Sequence, residues 1–419
     1  MPMSIKNGIF GVFKILFGSG MSQLLNFTLV VYVTREYGDN ELANLVKVIA
    51  LTSFLILFFE AGCNYLVVSR SKKALKDILI IRFYFIVVVT VIYFSFFDFV
   101  GFYFNVNTHV YFLCYFFSLL SSISNFISYY FQGGGNISKY VYSFYGRNSI
   151  HFIITIIVLF LFEPNNSAYI WLLVGCMVNF LLLICLVKSL STDVLKVSID
   201  RNVYTTFKLS FYYLLSSLLI MLMLRSEALL LGDDDDQLAL YFQAKTLAMV
   251  ISLFSASFSN YYLSNIGIVV NKGWYQFRRQ VFITYFVALP FLVFILSFSD
   301  EIFYYLYSTD KSSELKELFT IVGFAFSLGI ITNSLSTIII KAEVSKFNFY
   351  LNFFQVLLVI MGGVVLVNLG WGALGLSIAI LMSHIAGFIV TLIYTEINHE
   401  LLIKKIMEQA KATSTKIKN

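Results

Sequence analysis

Long apolar runs separated by short polar clusters organise this chain. Runs such as 152–162 are apolar on every side apart from Thr155, which is the pattern of an element surrounded by grease and not of one half in water. A helix needs about 20 mainly apolar residues, at about 1.5 Å each, to cross the hydrocarbon of a bilayer. Twelve stretches are candidate spans, at roughly 8–34, 41–69, 78–97, 109–131, 148–162, 169–187, 209–231, 238–263, 281–299, 317–340, 347–369 and 371–395. Helix is the expected form because lipid offers no partner for free backbone N–H and C=O groups. A β-barrel would need short alternating strands, which these runs are not. The first stretch follows Lys6 and Lys14 without a small-residue cleavage site, so it reads as a retained helix.

Composition narrows the class. Of 419 residues, 59% are apolar and 12% charged, with mean hydropathy +0.83. Soluble domains run at about 45–50% apolar and about 25% charged, so one large water-soluble core is excluded. With three prolines and no Ser/Gly tract, no flexible linker sets off a separate module. The expectation is an all-α integral membrane protein. Cys63, Cys114, Cys176 and Cys185 lie in apolar stretches without CxxC spacing, so packing is expected of them and neither a disulfide framework nor a metal site.

Charge sets the orientation. Of the 29 Lys and Arg residues, 21 fall in alternate segments that include both termini, and 3 (Arg35, Lys311, Lys316) in the opposite ones. The other five, Lys14, Lys47, Arg82, Arg225 and Lys245, lie within spans. Positive segments stay inside, so both ends are expected in the cytoplasm. The run Asp233–Asp236 then falls in an outer loop and reads as a solvated acidic turn. The net charge of +6 comes from inner loops and the tail, so nucleic acid is not expected as a partner. From Glu396 onward apolar Leu401, Leu402, Ile403 and Ile406 accompany Lys404 and Lys405, a pattern that suits the anionic inner leaflet and makes membrane lipids an expected partner.

An internal repeat divides the chain. Glu41-Leu42-Ala43-Asn44-Leu45 lies over Gln237-Leu238-Ala239-Leu240-Tyr241, and the same register aligns Leu57-Phe58 with Leu253-Phe254 and Asn64-Tyr65 with Asn260-Tyr261. Each copy follows a Gly-Asp turn, Gly38-Asp39 or Gly232-Asp233. Six helices precede the charge-rich loop 188–208 and six follow it. The expected plan is two six-helix lobes around a central cavity: 1–195 (N-lobe), 196–395 (C-lobe) and a cytoplasmic amphipathic tail at 396–419.

On that frame the chain resembles the O-antigen flippases known as Wzx, the polysaccharide-transporter branch of the MATE/MurJ-like (MOP) superfamily. The residues that carry the resemblance are Val30-Val31-Tyr32-Val33-Thr34-Arg35-Glu36-Tyr37-Gly38, the helix ending Phe58-Phe59-Glu60-Ala61-Gly62, Phe131-Gln132-Gly133-Gly134, and Tyr241-Phe242-Gln243-Ala244-Lys245. The resemblance implies a flippase that carries undecaprenyl-pyrophosphate-linked O-antigen repeat units across a bacterial inner membrane by alternating access. A lipid-linked oligosaccharide is then the partner, with an O-antigen polymerase and a chain-length regulator as candidate protein partners. The chain departs from the peptidoglycan-precursor flippases, which place arginines along the inner half of helix 1 where it has Ser19, Gln23 and Asn26.

Ionisable groups within the membrane are costly, at about 2.5–3.5 kcal/mol each on insertion scales, and are therefore functional candidates. Arg225, two residues from Glu227 and on an opposite helix face, points either into the cavity at a phosphate or sugar acid or elsewhere; Glu227 is open to a bridge with Lys245. Lys47 and Lys14 either meet the substrate or snorkel to an interface. Arg82 reads as an interfacial anchor. Glu60, nearly mid-membrane, is either protonated in the apolar interior or paired with a basic group, and both suit proton- or ion-linked transport. Gln23 and Asn26 share one face of helix 1, and Asn352 and Gln355 one face of helix 11. Arg225, Lys245, Lys47, Lys14, Gln23 and Asn26 are thus the candidate substrate-binding residues, and Glu60 and Glu227 the candidate coupling residues.

Ser118, Ser121, Ser122, Asn125 and Ser128 form a stripe down helix 4 that either lines a wet path or packs helices. Pro290 is expected to kink helix 9, and His151 and His384 to be satisfied core histidines. A MATE-type cation-coupled exporter is the runner-up. A membrane O-antigen polymerase or glycosyltransferase would need a larger outer loop than 300–316. No phosphate-cradling P-loop is present, so no enzyme activity, cofactor or metal is expected.

Overall fold

A computed structural model describes residues 5–69, 75–97, 107–133, 136–162, 166–188, 203–270, 273–307, 312–342 and 344–418. Among these residues every regular element is helical. Among the described residues, nine helical ranges are long and apolar enough to cross a membrane. The last of them, Lys346–Glu408, runs through a break at Val367–Trp371 and so holds two crossings. Helices α1 (Ile5–Tyr37) and α11 (Asp235–Val270), 33 and 36 residues long, are each long enough for another. The crossings match the frame expected from the apolar runs.

The chain forms two compact units, residues 1–239 and 240–419. In the first, α2 (Asp39–Glu60) is the central helix, with Leu42, Ala43, Leu45, Val46 and Ala50 almost wholly enclosed. It packs on α5 (Thr108–Gly133) and α4 (Leu75–Ser95). Helix α5 also meets α8 (Ser167–Lys188), where a Cβ on Gly175 would overlap the Phe117 ring; only a glycine allows that approach. His151 closes the same junction by bonding the Trp171 carbonyl at 2.7 Å, as expected of a satisfied core histidine. Helix α6 (Ile137–Val141) enters α7 (Arg147–Phe162) through a wide turn at Tyr142–Gly146.

Two expected helices are broken. The stretch 41–69 divides at Ala61 and Gly62, both at positive φ (51° and 68°), and resumes as α3 (Cys63–Ser69). The Ala61 N–H caps α2 by donating to the Leu57 and Phe58 carbonyls at 3.1 Å. A Cβ on Gly62 would overlap the Ser210 carbonyl and Leu214 nitrogen of α9 (Val203–Leu224), so glycine both permits the turn and admits α9. The stretch 209–231 divides at Arg225 (φ −117°, ψ 18°), after which α10 (Ser226–Leu230) begins.

In the second unit, α14 (Ser312–Lys341) packs on α16 (Gly372–Lys418), α12 (Trp274–Ser297) and α13 (Ser299–Tyr307). Its core joins Phe277 and Val281 to Leu335, Ile338, Ile339, Leu402 and Ile406. Helix α12 continues through Pro290. Between α15 (Ser345–Leu366) and α16, Gln355 and Ser383 bond each other's carbonyls at 3.3 and 3.0 Å, which makes Gln355 a helix-to-helix tie. His384 bonds the Ile380 carbonyl at 3.0 Å. The turn 70–74 and residues 189–202 of the expected linker 188–208 lie outside the described residues, and residues 203–208 already belong to α9.

Candidate functional site

Glu60 is the last residue of α2, at the helix end where the macrodipole disfavours a negative charge. Three helices answer it. Asn125 of α5 donates from Nδ2 to Glu60 Oε1 at 2.6 Å, and its own Oδ1 accepts from Arg147 Nη2 of α7 at 2.6 Å. Arg147 also reaches the Ser121 carbonyl at 3.4 Å and lies 5.6 Å over the Phe144 ring. From α4, Arg82 donates to the carbonyl and hydroxyl of Ser122 and lies 4.8 Å over Phe126. Both arginines are close enough to act on Glu60 electrostatically. Arg82 and Arg147 are 4% and 5% exposed, whereas Glu60 is only partly buried.

This cluster corrects two expectations. Arg82 does not snorkel to an interface: its guanidinium turns inward onto α5. Arg147, counted with the inner-loop charges, is buried. Glu60 offsets part of their charge where lone charges would be expensive, and Arg82 Nη1 is buried without a partner among the described residues. The serine stripe of α5 faces inward as a whole. Ser118, Ser121, Ser122, Asn125 and Ser128 are all buried, with Ser118 bonding the Thr52 carbonyl of α2 at 3.3 Å. The stripe packs helices and supplies the relay residue Asn125.

A profile described as "Polysaccharide biosynthesis protein" matches residues 10–261, which contain this cluster. The chain belongs to that family. Comparison with curated proteins gives no match. Among solved structures, the chain is similar to a lipid II flippase MurJ in an inward closed conformation, at 16% identity and TM-score 0.65, with 94% of this chain and 90% of that one covered. It is also similar to an inward-facing multidrug resistance MATE family transporter of the MOP superfamily, at 15% identity and TM-score 0.59, covering 91% and 96%. At these identities the likeness is one of fold: the family's chain here adopts the fold of those transporters.

The other candidates of this family member fall at separate places. Lys47, buried, pairs with Asp235 at 2.7 Å, so the acidic turn is not wholly solvated: Asp235 ties α11 to α2. Asp234 caps α11 by accepting from the Gln237 N–H at 3.0 Å. Lys14 donates to Ser138 Oγ at 2.9 Å, joining α1 to α6. Arg225 and Glu227 do share a side, with Nη1 to Oε1 at 3.9 Å, because the helix break at Arg225 cancels the spacing that would have set them apart. Glu227 is fully enclosed, and Arg225 Nε is buried without a partner among the described residues. Gln23 and Asn26 are half-buried on α1, and Gln23 Oε1 is enclosed and unpartnered among the described residues. In the second unit Lys245 is buried, 5.8 Å over the Tyr241 ring. Among the described residues no group of His, Cys, Asp and Glu side chains is placed to hold a metal ion.

Sequence reasoning missed Arg82 and Arg147 as site residues. The available signal was spacing: Asn125 and Ser122 are three apart on the helix-4 stripe, and a polar stripe inside a membrane needs polar partners on the helices facing it.

Proposed function

We propose that this protein is a flippase for lipid-linked polysaccharide repeat units of the O-antigen type, carried on undecaprenyl pyrophosphate from the cytoplasmic to the periplasmic leaflet of a bacterial inner membrane. The observation that carries the reading is the family match over residues 10–261, on a fold also seen in a lipid II flippase. Both termini lie in the cytoplasm, and transport proceeds by alternating access of two lobes. Arg225, Lys245, Lys47, Lys14, Gln23 and Asn26 are the candidate contacts to phosphate and glycan. Glu60, with Glu227 as a second candidate, is the coupling group.

The Glu60 cluster supports coupling on physical grounds. Its single carboxylate stands among two buried guanidiniums, so adding or removing one proton changes the net charge of an enclosed space. Such a change biases conformation only if the two protonation states favour different arrangements. The relay through Asn125 gives it a lever, since the Glu60–Asn125 bond joins α2 to α5 and the Asn125–Arg147 bond joins α5 to α7.

The test is complementation of O-antigen display in a flippase-null bacterium supplied with several repeat-unit structures. Restored display with at least one of them is expected. No restoration with any, at confirmed membrane insertion, would sink the reading. The MATE-like fold and the carboxylate in the first unit favour a second reading, a cation-coupled small-molecule exporter. Drug efflux without restored display would establish it instead.

A further inference from the structure

One end of the second unit carries a cavity of about 510 Å³ bounded by Tyr275, Arg278, Arg279 and Phe282 of α12 and by Leu392 and Glu396 of α16. Its charged wall is organised. Arg278 pairs with Glu396, which also accepts from Trp274 Nε1 at 3.0 Å, and Trp274 stacks on His399 with ring centroids 5.6 Å apart. Arg278 lies 5.7 Å over the Tyr275 ring. Glu396 therefore offsets Arg278, and exposed Arg279 is left to give the cavity one net positive charge.

The cavity continues into exposed apolar surface. Tyr275, Arg279, Phe282, Phe286 and Val293 follow one face of α12, and Tyr275, Phe286 and Val293 are 67%, 64% and 50% exposed. On α16, Ile385, Ile389 and Ile393 are exposed in the turns before Glu396. An occupant that matches both parts has a singly charged anionic head and an apolar tail. A Trp–Tyr–Arg rim at one end of an apolar surface is also the chemistry of the membrane interface.

We propose that this cavity is a binding site for the headgroup of an anionic phospholipid, with Arg279 holding the phosphodiester and an acyl chain lying along Phe282 and Phe286. A phosphodiester carries one negative charge and meets one uncompensated cation. A pyrophosphate carries more charge than the site balances, so the phospholipid fits better than a pyrophosphate-linked cargo. The inference concerns a lipid that stays with the protein and does not rest on which cargo is moved.

The full-length protein in phosphatidylcholine nanodiscs is titrated with phosphatidylglycerol bearing brominated acyl chains, and tryptophan quenching is read. The Trp274 signal is the part of the quenching that Trp274→Phe removes. Brominated phosphatidylglycerol should quench Trp274 at about fivefold lower mole fraction than brominated phosphatidylcholine, as expected for one basic residue facing anionic lipid. Arg279→Gln should abolish that preference, while Arg279→Lys should retain most of it. Arg279 is exposed, so both variants should fold. Equal quenching by the two lipids, or an unchanged preference in Arg279→Gln, overturns the site. Displacement by inorganic phosphate at millimolar concentration would mark a free-anion site, and displacement by undecaprenyl pyrophosphate below the phosphatidylglycerol mole fraction would mark a cargo site; either result overturns the proposal. Because binding is read without transport, failure here leaves the complementation result standing, and the reverse.

Discussion

Asn125 holds Glu60 with a 2.6 Å hydrogen bond, and its other amide atom holds Arg147 at the same distance. An asparagine side chain donates at one end and accepts at the other, so it joins an acid to a base without direct contact between them. A direct Glu60–Arg147 pair would pull α2 onto α7. The amide instead bridges the two from its place on α5.

The coupling role predicts the behaviour of one substitution at this relay. Glu60→Gln keeps shape and hydrogen bonding but fixes the neutral form. It should slow export strongly and remove its dependence on the proton gradient, measured as flipping in vesicles with and without a collapsed gradient. If Glu60→Gln flips at the wild-type rate and still responds to the gradient, Glu60 is structural.

Stability should show the charge compensation. Removing one partner of an enclosed charge cluster costs about 3–5 kcal/mol, so Arg147→Met should lower the unfolding midpoint in detergent markedly. Combining it with Glu60→Gln should recover part of that loss, because the acid no longer needs the cation. Strict additivity of the two changes would show that they do not share an interaction.

Gly62 should tolerate no side chain. Alanine there meets a positive φ and overlaps the α9 backbone at Ser210 and Leu214. Overpacking of this kind costs about 1–3 kcal/mol, and the backbone strain adds to it. Gly62→Ala should therefore reduce the folded yield and melting midpoint, whereas Gly38→Ala, also at positive φ but with open space around its Cβ, should cost less. Equal melting midpoints for the two variants would contradict the close approach.

Arg225→Ala should abolish export at matched protein level, since it removes a charge-assisted contact. Arg225→Lys should retain partial activity, because it keeps the charge and loses the planar fork. Full activity of the alanine variant at matched protein level excludes a substrate role for Arg225.

Orientation is checked with reporter fusions. Those at Asn202, Trp274 and the C-terminus should report cytoplasm, and those at Asp234 and Asp310 periplasm. A reversed result at Asp234 would require both lobes to be cut anew.

Membrane class, helical form and the run of crossings were legible in the sequence because each depends on a local property, an apolar stretch long enough to span lipid. Glu60 was a candidate from the sequence for the same reason: a short acidic side chain in mid-stretch is too far along the helix to snorkel to either surface. The partners of Glu60 were not. Arg82 and Arg147 lie near the ends of apolar runs, where a guanidinium that snorkels outward and one that turns inward have the same sequence signature. Depth along a helix can be read from order, whereas rotation about the helix and the identity of the facing neighbour are set by packing. The break at Arg225 was hidden similarly, since no proline marks it and an apolar run looks the same on both sides of a bend; the helix ending at Ala61 and Gly62 could be read from its residues, but not the left-handed turn that α9 packs against. Only the approach of α9 to Gly62, and of α4, α5 and α7 around the end of α2, decided where the chain bends and which charges meet.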